Sequence, residues 1–476
     1  MTDLATIRTR LAAIDQSHLL NFYPTLTAGE QQSLVEQLAS LPLEDIPALI
    51  DGYVRRKPAF VLPRDVAPAP YYPHDAGAGS KRWDKAKAEA AGEAIIRAGQ
   101  VAAFVVAGGQ GSRLGYEGPK GCYPAGAVTG KPLFQIFAEN ILGIHDRYGV
   151  WAPWYIMTSP LNHEATQSFF ESHKYFGLPR DVVQFFPQGV MPSLDIGTGK
   201  VLMASKSEVA TNPDGHGGCI RALHASGALA AMRSRGIKHL SYFQVDNPTV
   251  RVIDPVFIGL HASAADSSGE MSSKMVPKVS PEEKVGVFCH AGGKTQVLEY
   301  SDLPMELQRE RQPDGTIKFI AGSIAIHVMG VEFIHRLATD EAFGLPYHRA
   351  EKKIPCVDPS TGAAITPGAN NGVKLEKFVF DALELCKASI VLETDRVEEF
   401  APIKNATGAD SPESSRQLQT LRAARWLESC GVAVPKTAGG EPDCVLEISP
   451  RSATSAGELK HAKLPKAIER GAKVAL

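Results

Sequence analysis

The sequence predicts an α/β protein built on a doubly wound, mostly parallel sheet, and three observations support this fold class. A short apolar run bounded by glycines, residues 101–107, is typical of a buried strand in a parallel sheet. Other apolar runs of strand length follow it, and segments with helical periodicity separate them. Strands that alternate with helices indicate βαβ units. The strand-like runs lie at 154–157, 182–186 and 240–245, and the helical patterns include 133–145 and 220–235.

The chain of 476 residues is long enough for more than one domain. Strand-like stretches follow one another over residues 274–333, which predicts a mixed or antiparallel extension of the sheet. Five prolines between residues 58 and 73 indicate a linker. We therefore expect an N-terminal helical cap and linker over 1–98, a central domain over 99–400 and a small C-terminal domain over 401–476.

The helical cap is predicted from periodicity and capping residues. Apolar side chains at positions 4, 7, 11 and 14 share one helical face. A second helix is expected to begin at Thr27, which forms a capping box with Glu30. Ser80 precedes a third amphipathic segment that extends to about Gly99.

Charge and composition exclude several classes of protein. Fifty Lys and Arg residues against 52 Asp and Glu give a net charge of −2, so no global basic field exists to hold a long nucleic acid. An anionic ligand must instead be met by a few placed cations. The N-terminus lacks the basic flank and apolar run of a secretory signal, and no apolar stretch approaches the ~20 residues of a membrane span. Seven dispersed cysteines without a C-x-x-C pair favour reduced thiols, and we expect a cytoplasmic protein that binds neither nucleic acid nor membrane.

The strongest motif is a glycine-rich loop directly after the first central strand. Gly108, Gly109 and Gly111 let the backbone approach a ligand and direct its amides inward as a phosphate nest. Arg113 and Lys120 bring two cations to the same loop, as a triphosphate requires. The spacing fits neither a dinucleotide fingerprint nor a Walker loop. The alternative is a strand-to-helix turn with solvated cations.

Residues 107–120 resemble the signature of the nucleotide-sugar pyrophosphorylases, in which a sugar 1-phosphate attacks a nucleoside triphosphate. More narrowly, the chain is similar to the uridylyltransferases that include the UDP-N-acetylglucosamine and UDP-glucose pyrophosphorylases. Their fold is the nucleotide-binding sheet already expected from the strand pattern. The matching segments span roughly residues 100 to 410, and beyond the loop they lie at 154–159, 173–178, 188–192, 245–247, 297–301, 352–355, 371–381 and 402–405.

The resemblance implies that Mg²⁺-dependent transfer of a uridylyl group from UTP to a hexose 1-phosphate takes place at these residues. An Asp that ends a strand of a doubly wound sheet is well placed to hold Mg²⁺, which needs only one or two carboxylates beside phosphate oxygens. In this chain that residue is Asp246, implied as both nucleotide and metal ligand. Gln188 matches the residue that reads uracil, with a donor and an acceptor on one amide. The catalytic cations implied are Arg113, Lys120 and Lys404, and the other nucleotide-binding residues are Ala107, Gly108, Gly109, Gly111, Ser112, Gly215 and Lys374.

The implied sugar-binding residues are Glu299, Tyr300, His216 and Ser323, and the last two depart from the N-acetylglucosamine pattern. That branch carries Asn at both positions, whereas His at 216 is similar to UDP-glucose and broad UDP-sugar enzymes. Losing a hydrogen-bond partner for a substrate group can change discrimination by orders of magnitude. Glucose 1-phosphate and N-acetylglucosamine 1-phosphate therefore stay close alternatives, with galactose 1-phosphate as a third.

Two other functional classes are weaker interpretations. A UDP-sugar-dependent glycosyltransferase commonly shows an Asp-x-Asp motif, but Asn247 and Pro248 follow Asp246. A nucleotide-sugar sensor has no need of four cations at the reacting phosphates. For assembly, the sequence favours a monomer or a weak homo-oligomer.

Overall fold

The computed structural model describes residues 3–58, 60–78, 81–340 and 344–476. Its α-helices are α1 (Leu4–Ala13), α2 (Ala28–Ser40), α3 (Ile46–Leu49), α4 (Lys85–Arg97), α5 (Leu133–Tyr148), α6 (His163–Ser172), α7 (Cys219–Ala225), α8 (Ala228–Ser234), α9 (Pro255–Ser263), α10 (Met305–Arg309), α11 (Val331–Thr339), α12 (Ala382–Leu385), α13 (Arg396–Glu399), α14 (Pro412–Ser429) and α15 (Ala456–Leu459).

The strands are β1 (Ala67–Pro68), β2 (Val101–Val106), β3 (Trp154–Thr158), β4 (Val183–Pro187), β5 (Val190–Pro192), β6 (Leu194–Asp195), β7 (Met203–Ser205), β8 (Glu208–Val209), β9 (Thr211–Pro213), β10 (His239–Gln244), β11 (Met271–Pro277), β12 (Val287–Ala291), β13 (Lys294–Leu298), β14 (Ala321–Gly330), β15 (His348–Lys352), β16 (Cys356–Val357), β17 (Ala364–Ile365), β18 (Gly372–Glu376), β19 (Val391–Glu393), β20 (Val445–Glu447) and β21 (Lys473–Ala475).

The chain folds into two compact units, each assembled from three stretches of sequence. The first unit comprises residues 1–61, 188–219 and 345–379, and the second comprises 62–187, 220–344 and 380–476. The predicted division at residues 98 and 400 stays a prediction.

The first unit combines N-terminal helices with a small antiparallel sheet. Helix α1 begins at Asp3, whose side chain accepts from Thr6 N, and α2 begins at Thr27 with the predicted capping box. The predicted apolar face of α1 is buried at Ile7 and Leu11. It packs in one hydrophobic core with side chains of α2 and with those of β18, which is the central strand of the order β15-β18-β6.

The second unit is built on a ten-stranded sheet, one half of which is parallel as predicted. Strands β10, β2, β3 and β4 are neighbours and all run parallel. Because both faces of β2 are covered, the side chains from Val101 to Val105 are all buried, which explains the continuous apolar run. The carboxyl ends of β2 and β10 lie side by side, with Gln244 opposite Val106. The α/β fold class is confirmed.

The predicted β extension is present beside β10. Strand β14 pairs antiparallel with β10, β11 and β12, while β19 pairs parallel with β11. Two helices depart from the expectation of strands alone over 274–333: the five-residue α10 lies between β13 and β14, and α11 begins at Val331. The region predicted as one helix over 220–235 is two helices, α7 and α8. They are separated at Gly227, whose positive φ of 77° a continuous helix does not allow.

The last residues pack around a core of their own within the second unit. Helix α14 and strands β20 and β21 enclose buried side chains such as Trp426, Leu427 and Leu446. The third predicted helical segment of the N-terminal region is α4, which begins at the capping residue Asp84, and Ser80 lies outside the described residues. In the part of the chain that the structure describes, no helix is both long and apolar enough to span a bilayer. All seven cysteines are free thiols.

Candidate active site

The glycine-rich loop folds back on itself at the end of β2. Gly111 N donates to Gly118 O at 2.9 Å, and Lys120 N donates to Gly109 O at 3.0 Å. Gly111 cannot carry a side chain, because a Cβ there would lie within 2.9 Å of Tyr116 O. Among the described residues, the N–H groups of Gly108 and Gly109 have no protein acceptor, so they are available to an anion.

One buried asparagine holds this loop to the neighbouring strand. Asn162 is fully buried, and its Nδ2 donates to Ala107 O at 3.0 Å and to Gly109 O at 3.3 Å. Its Oδ1 accepts from Ser159 N, just after β3. This role of Asn162 was not predicted. The one sequence feature that could have indicated it is an asparagine placed between the end of β3 and the start of α6.

Three of the predicted charged residues meet at the carboxyl ends of β2 and β10. Lys120 Nζ lies 3.6 Å from Asp246 Oδ2, with the two side chains 15% and 13% exposed. Asp246 O accepts from Ile403 N at 2.8 Å, which places Lys404 beside it. Asp246, Lys404 and Ser323 line one cavity of about 50 Å³. Arg113 is exposed in the same loop as Lys120 and forms no ion pair within the described residues.

Ser323 reaches this cavity because β14 is distorted. The pairing of β14 with β11 shifts register between Ser273 and Met275, so extra residues of β14 bulge there. Ala325 lies in the bulge with a φ of +53°, a left-handed conformation that is strained for a residue with a Cβ. The segment Ser323–Ile326 lines the cavity. Such strain in the middle of a strand is a feature of sites that position a ligand.

The predicted pair Glu299 and Tyr300 follows β13. A Cβ on Gly286 would lie 3.4 Å from Glu299 Oε1, and Gly286 O accepts from Ser323 N at 2.7 Å. The Glu299 side chain and the Ser323 backbone therefore flank the same glycine, and their binding of one sugar stays a prediction. Tyr300 is 41% exposed.

In the first unit, Gln188 is buried beside an aspartate. Its Nε2 donates to Asp214 Oδ1 at 3.4 Å, and only 7% of Gln188 is exposed. A Cβ on Gly189 would lie 2.6 Å from the Asp214 carboxylate, and a Cβ on Gly218 would lie 2.1 Å from it. Asp214 thus fixes the Gln188 amide, and its carboxylate leaves no room for a side chain at Gly189 or Gly218. This positioning role was not predicted.

His216 is held in one tautomer. Its Nδ1 accepts from Val379 N at 3.1 Å, which leaves the proton on Nε2. Its ring stacks on Phe378 with centroids 5.1 Å apart. Burial, with a smaller contribution from nearby His348, lowers the pKa of His216 to about 4, so the ring is neutral at pH 7. Gly215 has a φ of +83°, and a Cβ there would lie 2.4 Å from Lys377 O.

Lys374 and Lys377 are close in sequence but differ in surroundings. Lys374 lies on β18 opposite Ala350, and it alternates with Val373 and Leu375 of the core. Lys377 Nζ lies 4.4 Å from the centroid of the Tyr347 ring. Lys377 therefore has a cation–π partner, while Lys374 lies on the face of β18 opposite the core.

The predicted residues thus fall into two sets, one in each unit. The second unit brings Asp246, Lys404 and Ser323 together around one cavity, and Lys120 lies 3.6 Å from Asp246. It also carries the glycine-rich loop with Ala107, Gly108, Gly109, Gly111, Ser112 and Arg113, together with Glu299 and Tyr300. The first unit carries Gln188, Gly215, His216 and Lys374.

Comparison with known proteins identifies the family of the chain. Residues 81–418 match the family described as UTP–glucose-1-phosphate uridylyltransferase. The chain is 36% identical over 473 residues to the UDP-N-acetylhexosamine pyrophosphorylase-like protein 1 of Xenopus tropicalis, covering 93% of this chain and 91% of that protein. It is 35% identical over 433 residues to the UDP-N-acetylglucosamine pyrophosphorylase of Saccharomyces cerevisiae, covering 88% and 90%.

A solved structure is also similar over the full length. The uridine diphosphate N-acetylglucosamine pyrophosphorylase from Trypanosoma brucei, in complex with an inhibitor, superposes with a TM-score of 0.79 at 25% identity. The match covers 98% of both chains. From these matches, the chain is a nucleotidyltransferase and belongs to the UTP–glucose-1-phosphate uridylyltransferase family.

Proposed function

We propose that this protein transfers the uridylyl group of UTP to N-acetylglucosamine 1-phosphate, forming UDP-N-acetylglucosamine and pyrophosphate. The observation that carries this proposal is the grouping of Lys120, Asp246 and Lys404 at the strand ends, next to a loop with free amide donors. The choice of an N-acetylated sugar as acceptor rests on the names of the relatives.

The reaction needs positioning and charge stabilisation more than proton transfer. A phosphate oxygen of the sugar phosphate is already ionised at pH 7, so it attacks the α-phosphorus without a general base. The bond between the α-phosphorus and the bridging oxygen breaks, and pyrophosphate leaves with the electron pair. Lys120 and Arg113, with the amides of Gly108 and Gly109, stabilise the charge that develops on the leaving group. Lys404 stabilises the reacting phosphate.

The donor set at Asp246 fits Mg²⁺. Its carboxylate faces a small cavity and is opposed only by Lys120 at 3.6 Å among the ion pairs of the described residues. A hard oxygen ligand of this kind suits an ion that takes its remaining ligands from phosphates and water. When bound, Mg²⁺ would neutralise charge on the phosphate oxygens. Asp246 would hold it, and Lys120 would keep the carboxylate oriented.

Glucose 1-phosphate is a second candidate acceptor, and a specific observation favours it. The Nδ1 of His216 accepts from Val379 N, so this nitrogen cannot accept a hydrogen bond from a sugar. Ser323 has a shorter side chain than the Asn of the N-acetylglucosamine branch. Neither residue reproduces the amide group that the resemblance associates with the N-acetyl substituent, so discrimination against plain hexoses is expected to be weak.

Pyrophosphate release from UTP tests the proposal. The purified protein is incubated with UTP and Mg²⁺ and with each of N-acetylglucosamine, glucose and galactose 1-phosphate. We expect turnover with the first two sugars, and the ratio of their kcat/KM values decides between them. Release with none of the three would refute the assignment, and calorimetric UTP binding without turnover would favour a sensor.

A further inference from the structure

A cluster of buried charges lies in the second unit, outside the cavity that Asp246 and Lys404 line. Lys274, on β11, is 1% exposed, and its Nζ lies 2.6 Å from Asp254 Oδ2 and 2.5 Å from Glu399 Oε2. Arg251 NH1 lies 3.1 Å from Asp254 Oδ1. Two cations and two carboxylates thus balance one another inside the second unit, and we call them the buried ion cluster.

The members of the cluster come from separate elements. Lys274 lies on β11, Asp254 is the N-cap of α9, and Glu399 is the last residue of α13. Glu399 also accepts from Thr394 Oγ1 at 2.7 Å, so both its oxygens are occupied. The cluster fixes where α13 ends relative to β11 and α9.

The end of α13 is in turn bonded to the segment that carries Asp246. Asn247 Nδ2 donates to Glu399 O at 2.6 Å, and Asn247 Oδ1 accepts from Ala401 N at 3.1 Å. Ile403 N then donates to Asp246 O. A continuous path of hydrogen bonds therefore runs from Lys274 through Glu399 to the backbone between Ala401 and Lys404.

Stability alone does not explain such a cluster. Removing two charges from water is costly, and replacing a buried ion pair by apolar side chains is often neutral or stabilising. What an ion pair adds is a fixed geometry, since each oxygen here has a defined partner. Catalysis of phosphoryl transfer depends on positioning, and a displacement of about 1 Å can lower a rate by roughly 100-fold.

We propose that the buried ion cluster sets Lys404 against Asp246, with Lys274 as its central positioning residue. The inference rests on the roles proposed above for Lys404 and Asp246. Lys274 touches no substrate. It acts through Glu399, Asn247 and the backbone that precedes Lys404.

A charge-balanced double variant tests this. Lys274→Met with Glu399→Gln removes one charge of each sign and leaves the pair of Arg251 with Asp254. We expect kcat to fall at least tenfold while the KM for UTP changes less than about threefold. The matched control is Arg336→Met with Glu270→Gln, which removes the 2.8 Å ion pair made by the residue just before β11. Its kcat is expected to stay within twofold of the native value.

A double-mutant cycle separates positioning from general loss of stability. In a Lys404→Ala background, the Lys274→Met and Glu399→Gln changes should lower the remaining kcat less than twofold, because the group that they position is absent. Equal fold-losses in both backgrounds would overturn the inference while leaving the role of Lys404 intact. Native turnover by Lys404→Ala alone would instead refute the proposed site, and the inference with it.

If the double variant does not fold, the single variant Glu399→Gln replaces it in the kinetic test. This change keeps the side-chain shape, the bond from Thr394 and the pair of Lys274 with Asp254. We expect the same pattern, a lower kcat at nearly constant KM. A melting temperature lowered as in the control but an unchanged kcat would show that the cluster is only structural.

Discussion

At the scale of single residues, Lys120 is the cation whose placement is best defined. Its backbone N–H closes the glycine-rich loop on Gly109, and its Nζ lies 3.6 Å from Asp246. We expect Lys120→Ala to lower kcat at least tenfold, because a charge opposite the leaving pyrophosphate is lost. Steady-state pyrophosphate release measures this. Lys87→Ala, an exposed lysine on α4, is the matched control, and a Lys120→Ala rate equal to the control rate would contradict the role.

The two sugar-site departures give a second residue-scale prediction. We expect Ser323→Asn combined with His216→Asn to raise the kcat/KM ratio of N-acetylglucosamine to glucose 1-phosphate at least tenfold, because amide groups return at both positions. The same ratio measured for native protein is the reference. His173→Asn, an exposed histidine on the segment after α6, is the control and should leave the ratio unchanged. No change in the double variant would remove these residues from the list of sugar determinants.

The sequence identified charged and glycine residues of the site better than the residues that hold them. Lys120 and Asp246 follow from motif and strand position, because a parallel sheet places loops of neighbouring strands at one edge. Asn162 and Asp214 were missed as positioning residues. Their role depends on which backbone groups lie nearby, and that information comes from tertiary contacts rather than from local pattern. The positive φ of Ala325 could not be predicted from the sequence either, because alanine does not favour that conformation.

At the scale of elements, helices α4 and α9 approach each other through two glycines. A Cβ on Gly259 would lie 1.7 Å from Ala88 O, and one on Gly92 would lie 1.8 Å from Pro255 O. The obstacle in both cases is backbone, which cannot move aside as a side chain can. We expect Gly259→Ala to lower the free energy of unfolding by about 2–3 kcal/mol, measured by denaturant unfolding.

The control for this prediction is Gly29→Ala in α2. Nothing lies within 4 Å of a Cβ at Gly29, so the substitution gains helix propensity without overlap. Its effect is expected to be neutral or stabilising by up to about 1 kcal/mol. Equal stability changes in the two variants would show that the α4–α9 contact relaxes.

Helices and strands with strong apolar periodicity were predicted well. A helix break and a strand bulge, which depend on the backbone conformation of single residues, were not. The amphipathic face of α1 and the apolar run of β2 are burial patterns, so the sequence carries them directly. The break between α7 and α8 depends on the positive φ of Gly227. The apolar periodicity of the sequence does not show this break, because it continues on both sides of Gly227. The β14 bulge similarly depends on pairing with β11.

At the scale of the whole molecule, the near-neutral charge fits the kind of anion the protein handles. With a net charge of −2, cations for a triphosphate must be concentrated locally. Lys120 and Lys404 both lie close to Asp246, and the buried ion cluster is charge-balanced within itself. Small, dense anions are thus met without a field that would attract nucleic acid.

Buried histidines make the stability of the second unit depend on pH. Burial lowers the pKa of His239 to about 4 and that of His261 to about 3, and their rings lie 5.3 Å apart. The unfolded chain binds protons near pH 6.5, whereas the folded unit does not until pH 4 or below. Stability is therefore full above pH 6.5 and is lost as the pH falls toward 4.

We expect the free energy of unfolding to fall by roughly 1.4 kcal/mol for each of these histidines between pH 7.5 and 5.5. All four tryptophans, at positions 83, 151, 154 and 426, belong to the second unit, so their fluorescence in urea reports its unfolding. His261→Gln keeps a partner for Ser272 Oγ and removes one titrating group, so its loss between the two pH values should be smaller by about 1.4 kcal/mol. The exposed His173→Gln should leave the native slope unchanged. If His261→Gln shows the native slope too, the acid sensitivity has another origin.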